Sequence, residues 1–278
     1  MAEKEKKGFT PDITTYDKNF ISWFVGFTEA DGCFLINKNR YLEFRITQSS
    51  IDKEVLFYIK KCLSFGVVRP QCSKSKTSCY RVRDKGGILC LITIFNNYGY
   101  LFTEEKRNQF NHWVDSFNAI YKTNIVNYTL CNGIGKKVHL NDGWLSGFTD
   151  GYGCFTVTVC KQKQTKHSLY TQVQVRYIVS QKNNKHLMES IAACVNGKVQ
   201  RVDSYSGYNM VVNLSSLSTI ISYLRKYPLK TKKRESFKKW LRVYFLVKHK
   251  KHFISAHLQQ IKETAKTINR RDSSSDSF

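Results

Sequence analysis

Residues 23–34 read WFVGFTEADGCF and residues 144–155 read WLSGFTDGYGCF, one twelve-residue pattern repeated 121 positions later. Repetition on this scale means two copies of one structural unit. The chain is therefore expected to fold as two similar halves, with a working site where the copies meet. In each copy a helix with a stripe of small residues runs to a short acidic end, then a glycine, then an apolar strand. One difference outweighs the matches: Asp31 of the first copy is Tyr152 in the second.

Further landmarks recur in order. FRITQ (44–48) matches YIVSQ (177–181) at an offset of 133, and YLFTEEKRNQF (100–110) matches YPLKTKKRESF (227–237) at an offset of 127. The second hairpin is thus about 12 residues longer and about 6 residues are lost afterwards, changes that loops absorb at little entropic cost. Hydrophobic periodicity predicts helices over 18–31, 51–63, 87–98 and 103–121, with strands at 33–38, 41–49, 65–71 and 79–84. The second half repeats this order, with strands at 154–160 and 169–181. The predicted class is α+β: two α-β-β-α-β-β-α repeats with antiparallel sheets. The predicted division is a flexible arm (1–17), a first repeat (18–121), a linker (122–141), a second repeat (142–248) and a basic, then polar tail (249–278) that reads as disordered.

Lys and Arg number 45 against 21 Asp and Glu, a net charge of +24. Such an excess points to a polyanionic partner, nucleic acid before an anionic membrane. No apolar run reaches the roughly 18 residues that span a bilayer, so no membrane partner is expected. MAEKEKKGFT mixes acids and bases without an apolar core and reads as neither secretory signal nor transit peptide. Nine cysteines without a CxxC pair fit reduced thiols in an intracellular compartment better than a disulfide framework or a zinc site.

Gly26 and Ala30, and in the second copy Gly147 and Gly151, lie four apart on one helical face. Small residues at that spacing let two helix backbones approach closely, so the two repeats are expected to pack on these helices. Gly32 and Gly153 fit C-terminal caps. A helix C-terminus carries exposed carbonyls and partial negative charge. With a carboxylate in the last turn it makes a site for a hard divalent cation, Mg²⁺ or Ca²⁺. The Ala30 and Gly151 carbonyls are candidate further ligands. A cation beneath a polyanion suggests phosphodiester hydrolysis.

The duplicated motif, its hairpins and the late KTKKR segment resemble the LAGLIDADG homing endonucleases over about residues 18–247. The resemblance implies a monomer whose paired sheets form a saddle over double-stranded DNA, cutting both strands at a long site. It implies Mg²⁺, with Ca²⁺ or Mn²⁺ as alternative occupants, and an organelle-encoded protein of a mitochondrion or chloroplast. In that family the acid before the final glycine binds metal, here Asp31, with Tyr152 in the second copy. A phenol, with a reference pKa of about 10, is a poor ligand for a hard cation at neutral pH. Glu29 and Asp150 occupy the family's other acidic position, which does not usually bind metal. Gln48 and Gln181 match the glutamine that ends the second strand near the attacked phosphates. Lys232 matches the late lysine, although it reads equally as one more solvated lysine of a basic run. Its counterpart is Glu105, or Lys106 if the register slips by one. Tyr152 and Glu105 leave open a cleavage-deficient protein on the same scaffold, such as a maturase binding intron RNA.

Strand alternation sorts residues by face. Leu42, Phe44 and Ile46 face a core, so Tyr41, Glu43 and Arg45 face outward. Val173, Val175, Tyr177 and Val179 are buried, so Gln172, Gln174 and Arg176 face out. Arg81 and Arg83 alternate with Val82. Arg, Gln and Asn make bidentate contacts to base edges, and a two-stranded ribbon fits the major groove. The candidate DNA-contacting set is Asn37, Tyr41, Arg45, Arg69, Gln71, Arg81, Arg83, Thr158, Gln172, Gln174, Arg176, Gln200 and Asn209.

Overall fold

Asp17 opens the first helix by accepting from the backbone N–H of Asn19 (2.7 Å) and Phe20 (3.0 Å), an N-cap that satisfies two otherwise orphaned donors. From there the chain builds two compact units, residues 1–136 and 137–278. The computed structural model describes residues 12–37, 41–71, 76–98, 101–125, 137–163 and 169–269.

The first unit runs α1 (Lys18–Asp31), β1 (Gly32–Ile36), β2 (Leu42–Ser49), α2 (Lys53–Leu63), β3 (Val67–Pro70), β4 (Thr77–Val82), α3 (Lys85–Tyr98) and α4 (Glu104–Tyr121). The second runs α5 (Trp144–Tyr152), β5 (Gly153–Lys163), β6 (Leu169–Lys182), α6 (Lys185–Val195), β7 (Lys198–Val202), β8 (Gly207–Asn213), α7 (Leu217–Lys226), α8 (Lys233–Lys248) and α9 (Ser255–Thr267). Each unit holds one four-stranded antiparallel sheet, ordered β1-β2-β4-β3 and β5-β6-β8-β7. The two copies therefore share one topology, as the sequence predicts.

The duplication reaches the core. Trp23 stacks on Phe27 at 5.0 Å, and Trp144 on Phe148 at 4.9 Å. Phe34 meets Phe44, Phe110 and Trp113 at 5.4, 5.1 and 5.3 Å. Phe155 meets Tyr177, Phe237 and Trp240 at 5.7, 5.3 and 5.2 Å. Each aromatic pair adds about 0.5–1.5 kcal/mol beyond its burial, so the strand after the motif is locked to α4 in the first copy and to α8 in the second. The longer second hairpin is β5 and β6, with 11 and 14 residues against 5 and 8 in β1 and β2.

Three expectations change. Residues 12–17 are no free arm: Ile13 is buried and the Tyr16 hydroxyl donates to the Leu63 carbonyl at 3.2 Å. The tail after 249 contains α9, which buries Ile261 against α8 and β5, while Asn269 Nδ2 donates to the Phe155 carbonyl at 2.7 Å. Its charged composition hides the apolar positions Leu258, Ile261 and Ile268. Residues 270–278, the rest of the expected disordered tail, lie outside the described residues, as do 1–11 of the arm and 126–136 of the linker. The end of that linker docks on α6: Val138 N–H donates to Ser190 Oγ (2.8 Å) and Cys194 Sγ donates to the Val138 carbonyl (2.8 Å).

Gly32 and Gly153 do cap their helices, each N–H donating to the Thr28 or Thr149 carbonyl, and the third change is in their conformation: both have extended backbone, φ −81° and −70°, not the left-handed one. A Cβ there would lie 2.8 Å from the carbonyl oxygen of Thr28 or Thr149. The glycine is needed for the close approach of strand to helix end, not for a positive φ. Among the described residues no helix is long and apolar enough to cross a membrane.

Candidate active site and nucleic-acid interface

Asp31 is the last residue of α1 and is half-buried. Gln48, on the helix-facing side of β2, donates through Nε2 to Asp31 Oδ2 at 2.6 Å. The strand thus orients the carboxylate at the helix end. Lys106, in the first turn of α4, donates through Nζ to the Gly32 carbonyl at 2.5 Å. One acid, one amide and one ammonium therefore converge around the end of α1.

The second copy keeps the plan with different groups. Tyr152 ends α5, 39% exposed, with its ring 5.4 Å from that of Phe148. Gln181 Oε1 accepts from Asn184 Nδ2 at 3.2 Å. Lys233 Nζ donates to the carbonyls of Gly151 (2.6 Å) and Thr149 (3.2 Å). The lysines that meet the two helix ends are therefore Lys106 and Lys233, 127 residues apart. Lys232, the expected residue, is the exposed N-cap position of α8, and its repeat partner is Glu105. The register does not slip: the offset of 127 taken through the buried Phe110 and Phe237 pairs Lys106 with Lys233, and could have pointed to Lys233 rather than Lys232 in the sequence.

What aims these lysines was missed at the sequence level. Glu29, 3% exposed, accepts from the backbone N–H of Phe102 (2.7 Å) and Thr103 (3.1 Å) and from Thr103 Oγ1 (2.5 Å). Asp150, 4% exposed, accepts from Lys230 N–H (2.8 Å), Thr231 N–H (3.1 Å) and Thr231 Oγ1 (2.6 Å). Each threonine hydroxyl in turn accepts from the lysine's own N–H, at 3.3 Å for Lys106 and 3.2 Å for Lys233. So the motif's first acid anchors the start of α4 in one copy and of α8 in the other, and with it the lysine. Burial pushes the Glu29 pKa up, against the hydrogen bonds from Thr103 and Phe102 and the field of Lys106.

The oxygen donors on the first copy fit a hard divalent ion: an oriented carboxylate at a helix C-terminus, with the Ala30 carbonyl beside it in the chain. The Gly151 carbonyl, the other expected ligand, accepts an ammonium, and a second cation on the same oxygen would be repelled by it. No cluster of three or more His, Cys, Asp or Glu suited to a metal occurs among the described residues. Gly26, Ala30 and Gly147 are buried and Gly151 is half-buried.

The pairing register puts the DNA-contacting candidates on the sheet face opposite the motif helices. Arg45 pairs with Arg81, and Val67 also with Arg81; Arg69 pairs with Cys79. Thr158 pairs with Gln174, Thr156 with Arg176, and Gln200 with Asn209. Asn37 and Tyr41 close the first hairpin, Asn37 N–H donating to the Tyr41 carbonyl at 2.9 Å. Gln71 follows β3, and its Oε1 accepts from Thr77 Oγ1 at 2.6 Å. Gln174 Nε2 donates to Gln172 Oε1 at 3.1 Å. Arg83 follows β4 and is exposed. Glu43 corrects its expectation. It lies on this face but its side chain has no exposure, because Arg45 and Arg83 cover it.

The family model of the LAGLIDADG endonucleases matches residues 24–117 and 145–244. A probable intron-encoded endonuclease 4 of Neurospora crassa is 47% identical over 250 residues, 90% of this chain; the chain spans 44% of that relative's length. An intron-encoded RNA maturase bI4 of Saccharomyces cerevisiae is 25% identical over 216 residues, 77% of this chain and 30% of the maturase. The fold matches the I-LtrWI LAGLIDADG homing endonuclease, solved bound to target DNA, with a TM-score of 0.75 at 21% identity, over 91% of this chain and 99% of that one. Both matched segments begin inside a motif helix and take in its sheet and last motif helix, and this chain belongs to the LAGLIDADG endonuclease family.

Proposed function

We propose that the chain is a site-specific endonuclease that hydrolyses phosphodiesters of double-stranded DNA, acting as a monomer and reading bases with the outer faces of its two sheets. The observation that carries this reading is the convergence of Asp31, Gln48 and Lys106 at one helix end, with Lys233 repeating the lysine at the other and Gln181 at the strand position that matches Gln48. Asp31, with the Ala30 carbonyl, would hold Mg²⁺, and Ca²⁺ or Mn²⁺ would fit the same hard oxygen donors. When bound, such an ion would supply positive charge to phosphate oxygens and lower the pKa of water. The chain's own residues orient the carboxylate (Gln48) and place an ammonium beside each helix end (Lys106, Lys233). On the second side Tyr152 offers no carboxylate, and Lys233 provides a fixed positive charge at the Gly151 carbonyl.

The two strands are therefore expected to be cut at different rates, so that nicking precedes or replaces double-strand cleavage. The test is a strand-resolved cleavage assay over a Mg²⁺ titration. Asp31→Asn is expected to abolish cleavage and spare binding, and Tyr152→Asp to accelerate the slower strand. Equal, fast cutting of both strands by the wild type would refute the asymmetry. Tyr152 also favours a second reading, a maturase-like protein that binds intron RNA without cutting. No cleavage of any DNA, with tight intron-RNA binding, would favour it. The names of the relatives support an intron-encoded origin, and we place the gene in an organelle genome.

A further inference from the structure

Glu43 sits in the middle of the first sheet's outer face with no side-chain exposure. Its Oε1 accepts from Arg45 Nε at 2.5 Å and lies 3.5 Å from Arg81 Nε. Its Oε2 accepts from Arg83 Nε at 2.5 Å, with Nη2 also at 2.5 Å. One carboxylate thus holds the guanidiniums of Arg45 (β2) and Arg83 (the residue after β4) by hydrogen bonds and that of Arg81 (β4) by charge alone. Arg69 shares the face and lines, with Arg81 and Arg83, a cleft of about 290 Å³.

The scaffold does not require this acid. Phe34 pairs with Phe44 as Phe155 pairs with Tyr177, so Glu43 corresponds to Arg176. Phe44 pairs with Val82 as Tyr177 pairs with Val212, so Arg45, Arg81 and Arg83 correspond to Ile178, Val211 and Asn213. The second copy builds the same sheet with one arginine in the acid's place and no arginines around it. Acid and arginines are present together or absent together, so the acid serves the arginines.

We infer that Glu43 is a specificity-determining positioning residue: it holds Arg45, Arg81 and Arg83 as a preset comb that reads guanines in the half of the target bound by the first unit. This deepens the proposed function and rests on its reading that the outer sheet face meets DNA. Arg45, anchored through Nε, keeps both Nη groups, whose fork matches O6 and N7 of guanine, and Arg83, held through Nε and Nη2, keeps Nη1 for a base edge. An arginine already held needs less ordering on binding, so its contact discriminates more sharply. The acid also cancels one of three positive charges, which trims sequence-blind attraction to phosphate.

The test is selection of bound duplexes from a randomised library by the full-length protein without divalent metal, with salt titrations on a random duplex. The wild type is expected to enrich guanines at two or more positions, one of which Arg83→Gln relaxes. Glu43→Gln is expected to weaken those guanine preferences about ten- to a hundredfold and leave the other half-site unchanged. Its salt slope on random duplex should steepen, by up to about 0.9. Unchanged guanine preference in folded Glu43→Gln would overturn the inference and leave the DNA reading standing. A wild type that enriches no sequence would overturn that underlying reading. If Glu43→Gln does not fold, Arg45→Gln and Arg83→Gln carry the test, and selection unchanged by either overturns the comb.

Discussion

The Asp150→Asn substitution keeps the shape of the side chain but turns one acceptor into a donor. Asp150 is 4% exposed and accepts three hydrogen bonds, two at Oδ1 from Thr231 and one at Oδ2 from Lys230 N–H. An amide with its oxygen on Thr231 turns its NH₂ toward the Lys230 N–H, so one bond is lost and two donors face each other. The two remaining bonds lose their charge assistance. A hydrogen bond to a charged group contributes about 1.5–3 kcal/mol, so the expected loss is about 2–3 kcal/mol. Asp150→Ala removes both acceptor oxygens, and with them all three hydrogen bonds, and is expected to cost about 3–5 kcal/mol, less whatever water recovers at the exposed Lys230. For a unit of this size each kcal/mol lowers Tm by roughly 2–4 °C, so Asp150→Asn should lower it by about 4–12 °C. Thermal and urea unfolding of the full chain, with hydrogen exchange in the second unit to locate the loss, measures this. Because Thr231 also caps the Lys233 N–H, cleavage by the surviving folded protein should fall more than DNA binding. A change under about 0.5 kcal/mol would refute the reasoning, since it would mean that the carboxylate is not the acceptor those three donors depend on.

Lys233→Met is expected to slow cleavage by about 10²-fold or more, on the scale of losing one fixed electrostatic partner, with Lys232→Met within about threefold, measured in single-turnover assays. Gly153→Ala should destabilise the second unit by about 1–3 kcal/mol, because its Cβ would meet the Thr149 carbonyl at 2.8 Å; an unchanged Tm would argue against that contact. The two buried acids of the first unit should give stability–pH slopes of opposite sign. Burial opposes ionisation of Glu43, but hydrogen bonds from Arg45 and Arg83 prevail and hold its pKa down. Its contribution is therefore complete above the unfolded value of about 4.3 and is lost as pH falls through the lower folded value. Glu29 has its folded pKa raised by burial, so its contribution falls as pH rises from about 4.3 through the folded value. Urea titrations of Glu43→Gln and Glu29→Gln against pH should each remove one slope, and slopes unchanged from wild type would contradict the assignment.

Much of this architecture is legible in the residues alone. The repeated motif, the offsets of 121, 127 and 133 and the strand alternation follow from periodicity, and periodicity is local. They place Asp31 at a helix end, Gln48 at a strand end and the arginines on one sheet face. The same patterns do not report which of two adjacent lysines reaches a carbonyl. That depends on where α8 begins, and Asp150 decides it from 81 residues away through Thr231. Nor do they report that Glu43 is buried, since alternation sets only the face, and the arginines that cover it come from β4 as well as β2. Motif position already sets the acids at 29 and 150 apart from Asp31. Only the fold shows what they do, by turning both toward buried N–H groups while Asp31 stays half-buried at the helix end. Helix and strand patterns are governed by neighbours a few residues apart, whereas the partner of a buried charge is set by which distant backbone donors the tertiary packing brings to it.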